Sequence, residues 1–226
     1  MTEEASKTYT IHPVVKEDTD SVMDLLKRTF YTKEPLNEAV ELWSENNPCP
    51  ELDEYCIHSL LEGLSFKAVD PQGNIVGVTI SGILPLKEEE GNAILTQAKN
   101  CKNPKFQRIL YILAAREEGT KLWEKFPQEE RLVEIKVAAT DPNWTRRGIM
   151  NKLVHETEIA TKQLGIRLLR LDTSSAYSAK SAERQGFTCL YKRLYTDIKK
   201  DGQPLIVPKP PHVDDRVHIK ILSNGK

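Results

Sequence analysis

The segment that most constrains the fold of this chain is Val133–Thr161, where an alternating strand pattern runs into a basic turn and then into a helical pattern. Apolar and polar residues alternate along Leu132–Ala138, which predicts a strand with one buried face. The turn Asp141–Met150 follows, and beyond it the apolar residues recur at helical spacing. The chain is therefore expected to contain a β-strand that leads into an amphipathic helix through a glycine-bearing turn.

The start of this predicted helix is suited to binding an anion. The apolar face of the helix consists of Ile149, Leu153, Ala160 and Leu164. The first backbone N–H groups of a helix lack intrahelical partners and lie at the positive end of the helix dipole, which favours a bound anion. Arg146 and Arg147 add side-chain donors that suit a phosphate or pyrophosphate. An ordinary connection with a solvated basic turn is the alternative.

Composition and motifs exclude several classes of function. The 32 Lys and Arg residues are balanced by 33 Asp and Glu residues, so no basic field points to nucleic acid. The sequence contains neither a GxxxxGKS/T loop nor a GxGxxG turn after a strand, which disfavours nucleoside triphosphatases and Rossmann dehydrogenases. It also lacks an apolar run of about 18 residues and the apolar core of a signal peptide. A cytoplasmic protein without membrane or nucleic-acid partners is therefore expected.

The cysteines predict neither a metal site nor a disulfide framework. They are Cys49, Cys56, Cys101 and Cys189. None forms a CxxC pair, and none lies at metal-finger spacing from a histidine. Reduced thiols are the expectation for such a chain.

The remaining pattern predicts alternating strands and helices. Further strands are expected at Thr8–Val15, Leu64–Val69, Asn74–Ile83, Ile166–Asp172, Phe187–Thr196 and Arg216–Leu222. Helices are expected from Lys16 to Phe30, from Pro35 through Ala39, Val40 and Trp43, at Leu52–Leu61, within Leu86–Phe126 on both sides of Lys99–Pro104, and at Ala176–Gln185. Pro35 forces Glu34 out of helical geometry, so a break is expected at Tyr31–Leu36. This order predicts a single mixed α/β domain over residues 1–226, with a helical insertion at about residues 86–126.

This order, with an anion-binding turn after the fourth strand, resembles the GNAT superfamily of acyl-CoA-dependent N-acetyltransferases. The turn motif of that family, R/Q-x-x-G-x-G/A, aligns with Thr145–Met150. The match keeps Gly148, but Thr145 and Met150 replace the leading Arg or Gln and the final small residue. The resemblance implies a mostly antiparallel, twisted sheet of about seven strands, helices on both faces, and a V-shaped cleft between the fourth and fifth strands.

Three further segments resemble the insect arylalkylamine N-acetyltransferases, in matching order along nearly the whole chain. Residues Glu34–Asn37 read E-P-L-N, Ser174–Ala179 read S-S-A-Y-S-A, and Pro210–His212 read P-P-H. The resemblance implies transfer of acetyl from acetyl-CoA to the primary amine of a small arylalkylamine, such as dopamine, tyramine, octopamine or serotonin. Acetyl-CoA and the amine are the expected partners, and the chain is expected to act as a monomer.

The same resemblance assigns roles to individual residues. Glu34 would be the general base, and the hydroxyl groups that act with it would be those of Ser174, Tyr177 and Ser178. The residues that would contact CoA are Ala138, Ala139, Thr140, Thr145, Arg146, Arg147, Gly148, Ile149, Met150 and Lys180. The amine would contact Tyr31, Pro35 and His212. Each assignment has a structural alternative: a carboxylate or serine at a helix start, a solvated lysine, a surface histidine or an aromatic core residue.

The acceptor amine stays open between two classes. Tyr31, Trp43, Phe106 and Tyr111 could form an aromatic wall for an arylalkylamine. A second carboxylate, from Glu45, Glu51 or Asp53, could instead hold the guanidinium of agmatine or the second ammonium of a polyamine. A third alternative is a non-catalytic relative that binds acyl-CoA, suggested by the altered turn motif. The insertion is expected to act as a lid that narrows the acceptor cleft.

Overall fold

A seven-stranded sheet organises the chain, which is described over residues 8–223 in a computed structural model, without the side chains of residues 88–92. The strands are β1 (Thr10–Pro13), β2 (Phe66–Val69), β3 (Ile75–Pro85), β4 (Arg131–Thr140), β5 (Leu168–Thr173), β6 (Thr188–Leu194) and β9 (Asp214–Ile221). The two-residue strands β7 (Lys199–Lys200) and β8 (Gln203–Pro204) form a separate hairpin. The order across the sheet is β1-β2-β3-β4-β5-β9-β6.

Every neighbouring pair in this sheet is antiparallel except β4 and β5, which are parallel. This pair is joined by helix α8 (Ile149–Gln163) in the predicted βαβ step. The two strands pair only from Val133 to Ile135 on β4, and β4 then continues to Thr140 beside β3 alone. The register between β3 and β4 shifts at Lys136, which is the extra residue of a β-bulge. The strands therefore separate, and the predicted V-shaped cleft is confirmed.

Nine helices surround the sheet within the described part of the chain. They are α1 (Thr19–Arg28), α2 (Phe30–Lys33), α3 (Pro35–Ala39), α4 (Pro50–Leu60), α5 (Glu88–Asn100), α6 (Pro104–Thr120), α7 (Leu122–Lys125), α8 (Ile149–Gln163) and α9 (Ala176–Arg184). A Cβ atom on Gly77 would point at Ile149 of α8. The next residue, Val78, belongs to the core shared with α1, α4 and α6. Successive residues of a strand face opposite sides, so helices cover both faces, as the fold class predicts.

Several predicted boundaries are wrong for local backbone reasons. Helix α3 ends at Ala39 and does not reach Trp43, because Glu41 has a φ of 49° in the left-handed region, which no helix continues through. Helix α8 ends at Gln163, and Leu164 is 44% exposed rather than part of the buried face. The strand predicted at Phe187–Thr196 ends at Leu194, and the residues from Tyr195 onward form a short 3₁₀ turn.

Helix α6 of the insertion is held on the sheet by buried charges. The guanidinium of Arg116 donates two hydrogen bonds of 2.6 Å to the two carboxylate oxygens of Asp215 on β9, and lies 3.4 Å from Asp172 on β5. Arg170, the next inward-facing residue of β5, pairs with Asp172 at 2.7 Å and with Glu117 of α6. Burial opposes these charges, but the carboxylates hold the pKa of each guanidinium well above its usual value.

Replacing Arg116 with methionine should lower the free energy of unfolding by about 3–5 kcal/mol, because Asp215 would be left buried without its partner. Burial already raises the pKa of Asp215 above its usual value against the lowering effect of Arg116, and loss of the guanidinium would raise it further. The folded state would then bind the proton more tightly, and the loss should shrink as the pH falls from 7 towards about 4. Urea denaturation across this pH range measures both effects.

The matched control is Arg193→Met on β6, where the arginine is exposed. That change should alter the free energy of unfolding by no more than about 0.5 kcal/mol. Equal losses for the two variants would contradict the importance assigned to the buried pair.

Candidate active site

A cavity of about 1410 Å³ passes through the sheet where β4 and β5 separate. Two consecutive residues of β5 line it from opposite faces. Leu171 belongs to the apolar cluster under α8, whereas Asp172 faces Arg116 of α6. The cavity therefore connects the face covered by α8 and α9 with the face covered by α4 and the insertion.

Glu34 lies in the wall of this cavity between α2 and α3. Residues 30–33 form a helical turn, so the predicted break begins at Glu34, whose φ of −65° and ψ of 132° are the extended values expected before Pro35. One carboxylate oxygen accepts a hydrogen bond from the backbone N–H of Asn37 at 2.7 Å and thereby caps α3. Pro35 lines the cavity beside it.

The environment of Glu34 gives its carboxylate an unusual proton affinity. Burial raises the pKa of Glu34, and it does so against several groups that lower it. These are a hydrogen bond from the Ser174 side chain, the backbone N–H groups of Asn37 and Leu36, and the charge of Arg116. The balance leaves the pKa above its usual value. A carboxylate with a raised pKa is a stronger base than an ordinary glutamate and is suited to accepting a proton from a bound acidic group such as an ammonium.

The loop between β5 and α9 places several hydroxyl groups opposite Glu34. Ser175 is the N-cap of α9, because its oxygen accepts from the N–H groups of Tyr177 at 3.1 Å and Ser178 at 3.4 Å. Ser174 is therefore free of capping and directs its side chain to Glu34. The Ser178 hydroxyl donates to the Ser175 carbonyl at 2.9 Å and also lines the cavity.

Two further predicted residues lie at the rim of the cavity. Tyr177 is 67% exposed, and its ring packs edge-on against the ring of His212 at a centroid distance of 5.4 Å. The Nδ1 atom of His212 accepts a hydrogen bond from the N–H of Ala176 at 3.2 Å. Both side chains line the cavity, so the loop before β9 and the start of α9 meet here.

The end of β4 that no longer pairs with β5 contributes backbone to another part of the cavity wall. Ala138, Ala139 and Thr140 line the cavity, and β5 pairs with none of them. Thr145 continues the lining towards α8, with its hydroxyl donating to the Pro142 carbonyl at 3.1 Å. This edge presents unpaired backbone groups with which an extended ligand could pair as an added strand.

The basic turn before α8 has a backbone conformation that lets a ligand come close to the first N–H groups of the helix. Arg146 and Gly148 have φ values of 59° and 75°, and Gly148 is the N-cap of α8. Tyr9 fixes the turn by donating to the Arg147 carbonyl at 3.1 Å, and the Arg147 guanidinium lies 5.6 Å from the ring of Trp144. Met150 is partly buried against the core, beside the buried Ile149, so its side chain is directed away from the open start of the helix.

The structure corrects the predicted role of Tyr31. Its side chain is 1% exposed and lies outside the cavity lining, since its hydroxyl donates to Asp53 at 2.7 Å inside the core. Trp43 packs against Tyr31 with a centroid distance of 6.1 Å and also lies outside the lining, as does Tyr111. Of the predicted aromatic wall, Phe106 alone reaches the cavity.

Other predicted residues divide in the same way. Of the three carboxylates predicted to hold a second cation, Glu51 lines the cavity. Asp53 accepts the hydrogen bond from Tyr31, and Glu45 is exposed outside the lining. Lys180 is exposed on α9 and is not part of the lining either.

Sequence reasoning missed the charged floor beneath the insertion. The lining residues that form it are Arg116, Glu117, Glu134, Lys136, Arg170 and Asp172. Burial raises the pKa of Glu134 to about 7 although Arg170, 3.6 Å away, opposes the shift. The strand patterns held a signal, because Arg170 and Asp172 alternate with leucines in an otherwise apolar strand. Such residues face either solvent or an internal polar layer, and the pattern alone does not distinguish the two.

The roof of the same half of the cavity is apolar. Its side chains come from the insertion and the adjoining strand ends: Leu86, Ile94, Phe106, Leu110, Leu113 and Trp123. An amphipathic ligand could thus place an apolar body against the roof and a polar group on the floor.

Three features of the described residues bear on other classes of function. Between residues 8 and 223, no helix is both long enough and apolar enough to cross a membrane. The same part of the chain contains no group of three or more His, Cys, Asp or Glu side chains that could hold a metal ion. All four cysteines are free thiols, and burial raises the pKa of Cys49 to about 11 and that of Cys56 to about 12.

The fold is shared with solved N-acetyltransferase structures, although no family model matches the sequence. Arylalkylamine N-acetyltransferase 2 from Aedes aegypti has 24% identity and a TM-score of 0.87, over 96% of this chain and 100% of its own. The polyamine N-acetyltransferase of Drosophila melanogaster, which forms N-acetylagmatine, has 24% identity and a TM-score of 0.85, over 95% and 100%. An agmatine N-acetyltransferase has 23% identity and a TM-score of 0.85, over 95% and 99%. The chain therefore has the GNAT fold, in the form found in insect arylalkylamine N-acetyltransferases.

Proposed function

We propose that the protein is an N-acetyltransferase that transfers acetyl from acetyl-CoA to a small primary amine, with Glu34 as the general base. The observation that carries this proposal is the position of Glu34, a carboxylate with a raised pKa in the wall of the cavity at the parting of β4 and β5. The cavity reaches both faces of the sheet, so two substrates can enter from opposite sides and meet beside this carboxylate. Direct transfer within a ternary complex follows, without a covalent acyl-enzyme.

Acetyl-CoA would bind along β4 and the start of α8. The pantetheine amides would pair with the open backbone of Ala138–Thr140, as an added strand does. The pyrophosphate would lie on the N–H groups of Arg146–Met150, helped by the two arginine side chains. Lys180 would extend to the ribose phosphate when CoA is bound.

The amine must lose a proton before it attacks the thioester. An alkylammonium has a pKa close to that of a lysine side chain, about 10.4, and only the neutral amine is a nucleophile. Glu34 would accept this proton, directly or through one water molecule. The hydrogen bond from Ser174 would hold the carboxylate in the position that receives it.

Attack creates an oxyanion and then a thiolate, and each needs a donor. A backbone N–H among Ala138–Thr140 would stabilise the oxyanion, since this edge of β4 is not paired with β5. Tyr177 or Ser178 would supply the proton to the leaving thiolate, because both line the cavity at the start of α9. His212, at the rim, would contact the amine.

Two classes of amine fit different parts of the cavity. The apolar roof, with Phe106, Leu110 and Trp123, favours the ring of an arylalkylamine. The carboxylates Glu51 and Glu134 in the lining favour a second cationic group, as in agmatine or a polyamine. The arylalkylamine is the first choice because six apolar side chains form the roof, and the cationic acceptor is the second candidate.

Glu34→Gln should lower kcat by about 10²- to 10⁴-fold at pH 7 and leave the KM for acetyl-CoA unchanged, because glutamine keeps the shape but accepts no proton. Steady-state thiol release measures both constants. The control is Glu38→Gln, an exposed change on α3, the helix that Glu34 caps, and it should leave kcat unaltered. Unchanged turnover in Glu34→Gln would remove the base assignment.

Stabilisation of the wild-type protein by CoA with no acetylation of any amine would instead favour a non-catalytic acyl-CoA-binding protein.

Gly148→Val should weaken binding of CoA by about tenfold, equivalent to roughly 1.4 kcal/mol, because valine is strained at a φ of 75° and shifts the N–H groups of the turn. The control is Gly165→Val at the other end of α8, where φ is 67°. It introduces the same backbone strain about 25 Å away along the helix. Calorimetric titration with CoA should show weakened binding in the first variant alone, and equal affinities would argue against binding at this turn.

The two acceptor classes are separated by competition between tyramine, serotonin, agmatine and spermidine at one acetyl-CoA concentration. Arylalkylamines are expected to have the highest kcat/KM. In Glu51→Gln the kcat/KM for agmatine should fall relative to that for tyramine, because one carboxylate of the lining is lost. The control Glu45→Gln, outside the lining, should leave the ratio unchanged. A wild-type preference for agmatine or spermidine would show that the acceptor is an amine with a second cationic group.

A further inference from the structure

The backbone of Ser174 is held from behind by a buried tyrosine. Tyr195 follows β6 directly and is 1% exposed. Its hydroxyl donates to the Ser174 carbonyl at 3.0 Å and lies 3.4 Å from a carboxylate oxygen of Asp215. The tyrosine thus joins the loop that carries Ser174 to the strand β9.

Asp215 in turn is fixed by the insertion. It is fully buried, and both of its oxygens accept hydrogen bonds from Arg116 at 2.6 Å. Arg116 also lines the cavity and lowers the pKa of Glu34 through its charge. One continuous set of contacts therefore runs from Arg116 through Asp215 and Tyr195 to Ser174, and both of its ends act on Glu34.

Tyr195 can influence the Glu34 carboxylate only through Ser174. The Tyr195 hydroxyl bonds the main chain of that residue, whereas the Ser174 side chain bonds Glu34. The charged or titratable groups around this point are Lys33 from α2, Arg116 from α6, Asp172 from β5, Asp215 from β9, and His212 from the loop before β9. Among them, Arg116 lowers the pKa of Glu34, and the hydrogen bonds from the Ser174 side chain and from the backbone N–H groups of Asn37 and Leu36 lower it as well.

We propose that Tyr195, anchored by Asp215 and Arg116, is a positioning residue that fixes the loop between β5 and α9 so that Ser174 donates its hydrogen bond to the Glu34 carboxylate. This inference rests on the proposed function, because it concerns the working protonation state of the base. Without the tyrosine hydroxyl, the Ser174 carbonyl loses its donor, and the loop is free to move away from Glu34.

The consequence is a shift in the pH dependence of the reaction. The Ser174 bond lowers the pKa of Glu34, so its loss raises that pKa. A base with a higher pKa is protonated at a higher pH, and the acidic limb of kcat/KM for the amine moves upward. A lost hydrogen bond corresponds to a move of about half a pH unit to one unit, and to a rate about three- to tenfold lower on that limb.

The test compares Tyr195→Phe with the wild type over pH 5.5–9 with tyramine as acceptor, or with the best acceptor of the panel. The acidic midpoint should move upward, the rate should recover at high pH, and the KM for acetyl-CoA should stay constant. The midpoint compares rates within one variant, so a smaller folded fraction does not change it. Tyr191→Phe is the matched control, since it removes a hydroxyl from β6 outside the cavity, and its midpoint should equal that of the wild type.

A double-mutant cycle shows whether Tyr195 acts through Ser174. Ser174→Ala should produce a similar upward shift, and adding Tyr195→Phe to it should produce no further shift. Equal midpoints for Tyr195→Phe and the wild type, or additive shifts in the double variant, would overturn the inference while leaving Glu34 as the base. A wild-type protein that acetylates no amine would instead overturn the proposed function.

Discussion

The structure depends on the buried ion pairs that seat helix α6 on the sheet. The first part of α6 packs through apolar side chains such as Ile109 and Ile112, but its second half also directs Arg116 and Glu117 into the interior. On the strands, Asp215 and Asp172 pair with Arg116, and Arg170 pairs with Glu117. Because water is excluded, breaking a pair leaves an uncompensated charge, so the position of the insertion is fixed with little tolerance. A cavity roofed by α6 keeps its shape for the same reason.

Local rules were sufficient to predict the parts of the site that depend on a few consecutive residues. Pro35 dictates the extended backbone of Glu34, and that conformation places the carboxylate at the start of α3. Gly148 is required where the chain enters α8 with a positive φ. The strand before this turn and the parallel step after it followed from hydrophobic periodicity. Each of these features lies within about ten residues of its cause.

The remaining features depend on residues far apart in the chain. Arg116 and Asp215 are separated by 99 positions, and Tyr195 meets Ser174 across 21. No periodicity encodes such a pairing, which arises only when β9 enters the sheet between β5 and β6. The position of Tyr31 was also beyond local rules, because an aromatic residue beside the predicted base can face either the substrate or the core. Its hydrogen bond to the partly buried Asp53 holds it in the core.

The charge of the cavity floor bears on the hardest step of the proposed reaction. The carboxylates of the floor, Glu117, Glu134 and Asp172, are matched in number by the cations of Arg116, Lys136 and Arg170, so the floor has no excess negative charge that would hold the amine as an ammonium ion. An ordinary glutamate lies about six pKa units below an alkylammonium, and transfer to it would be uphill by about 8 kcal/mol. Raising the pKa of Glu34 by burial narrows this gap, so the low-dielectric wall of the cavity makes deprotonation of the amine less uphill.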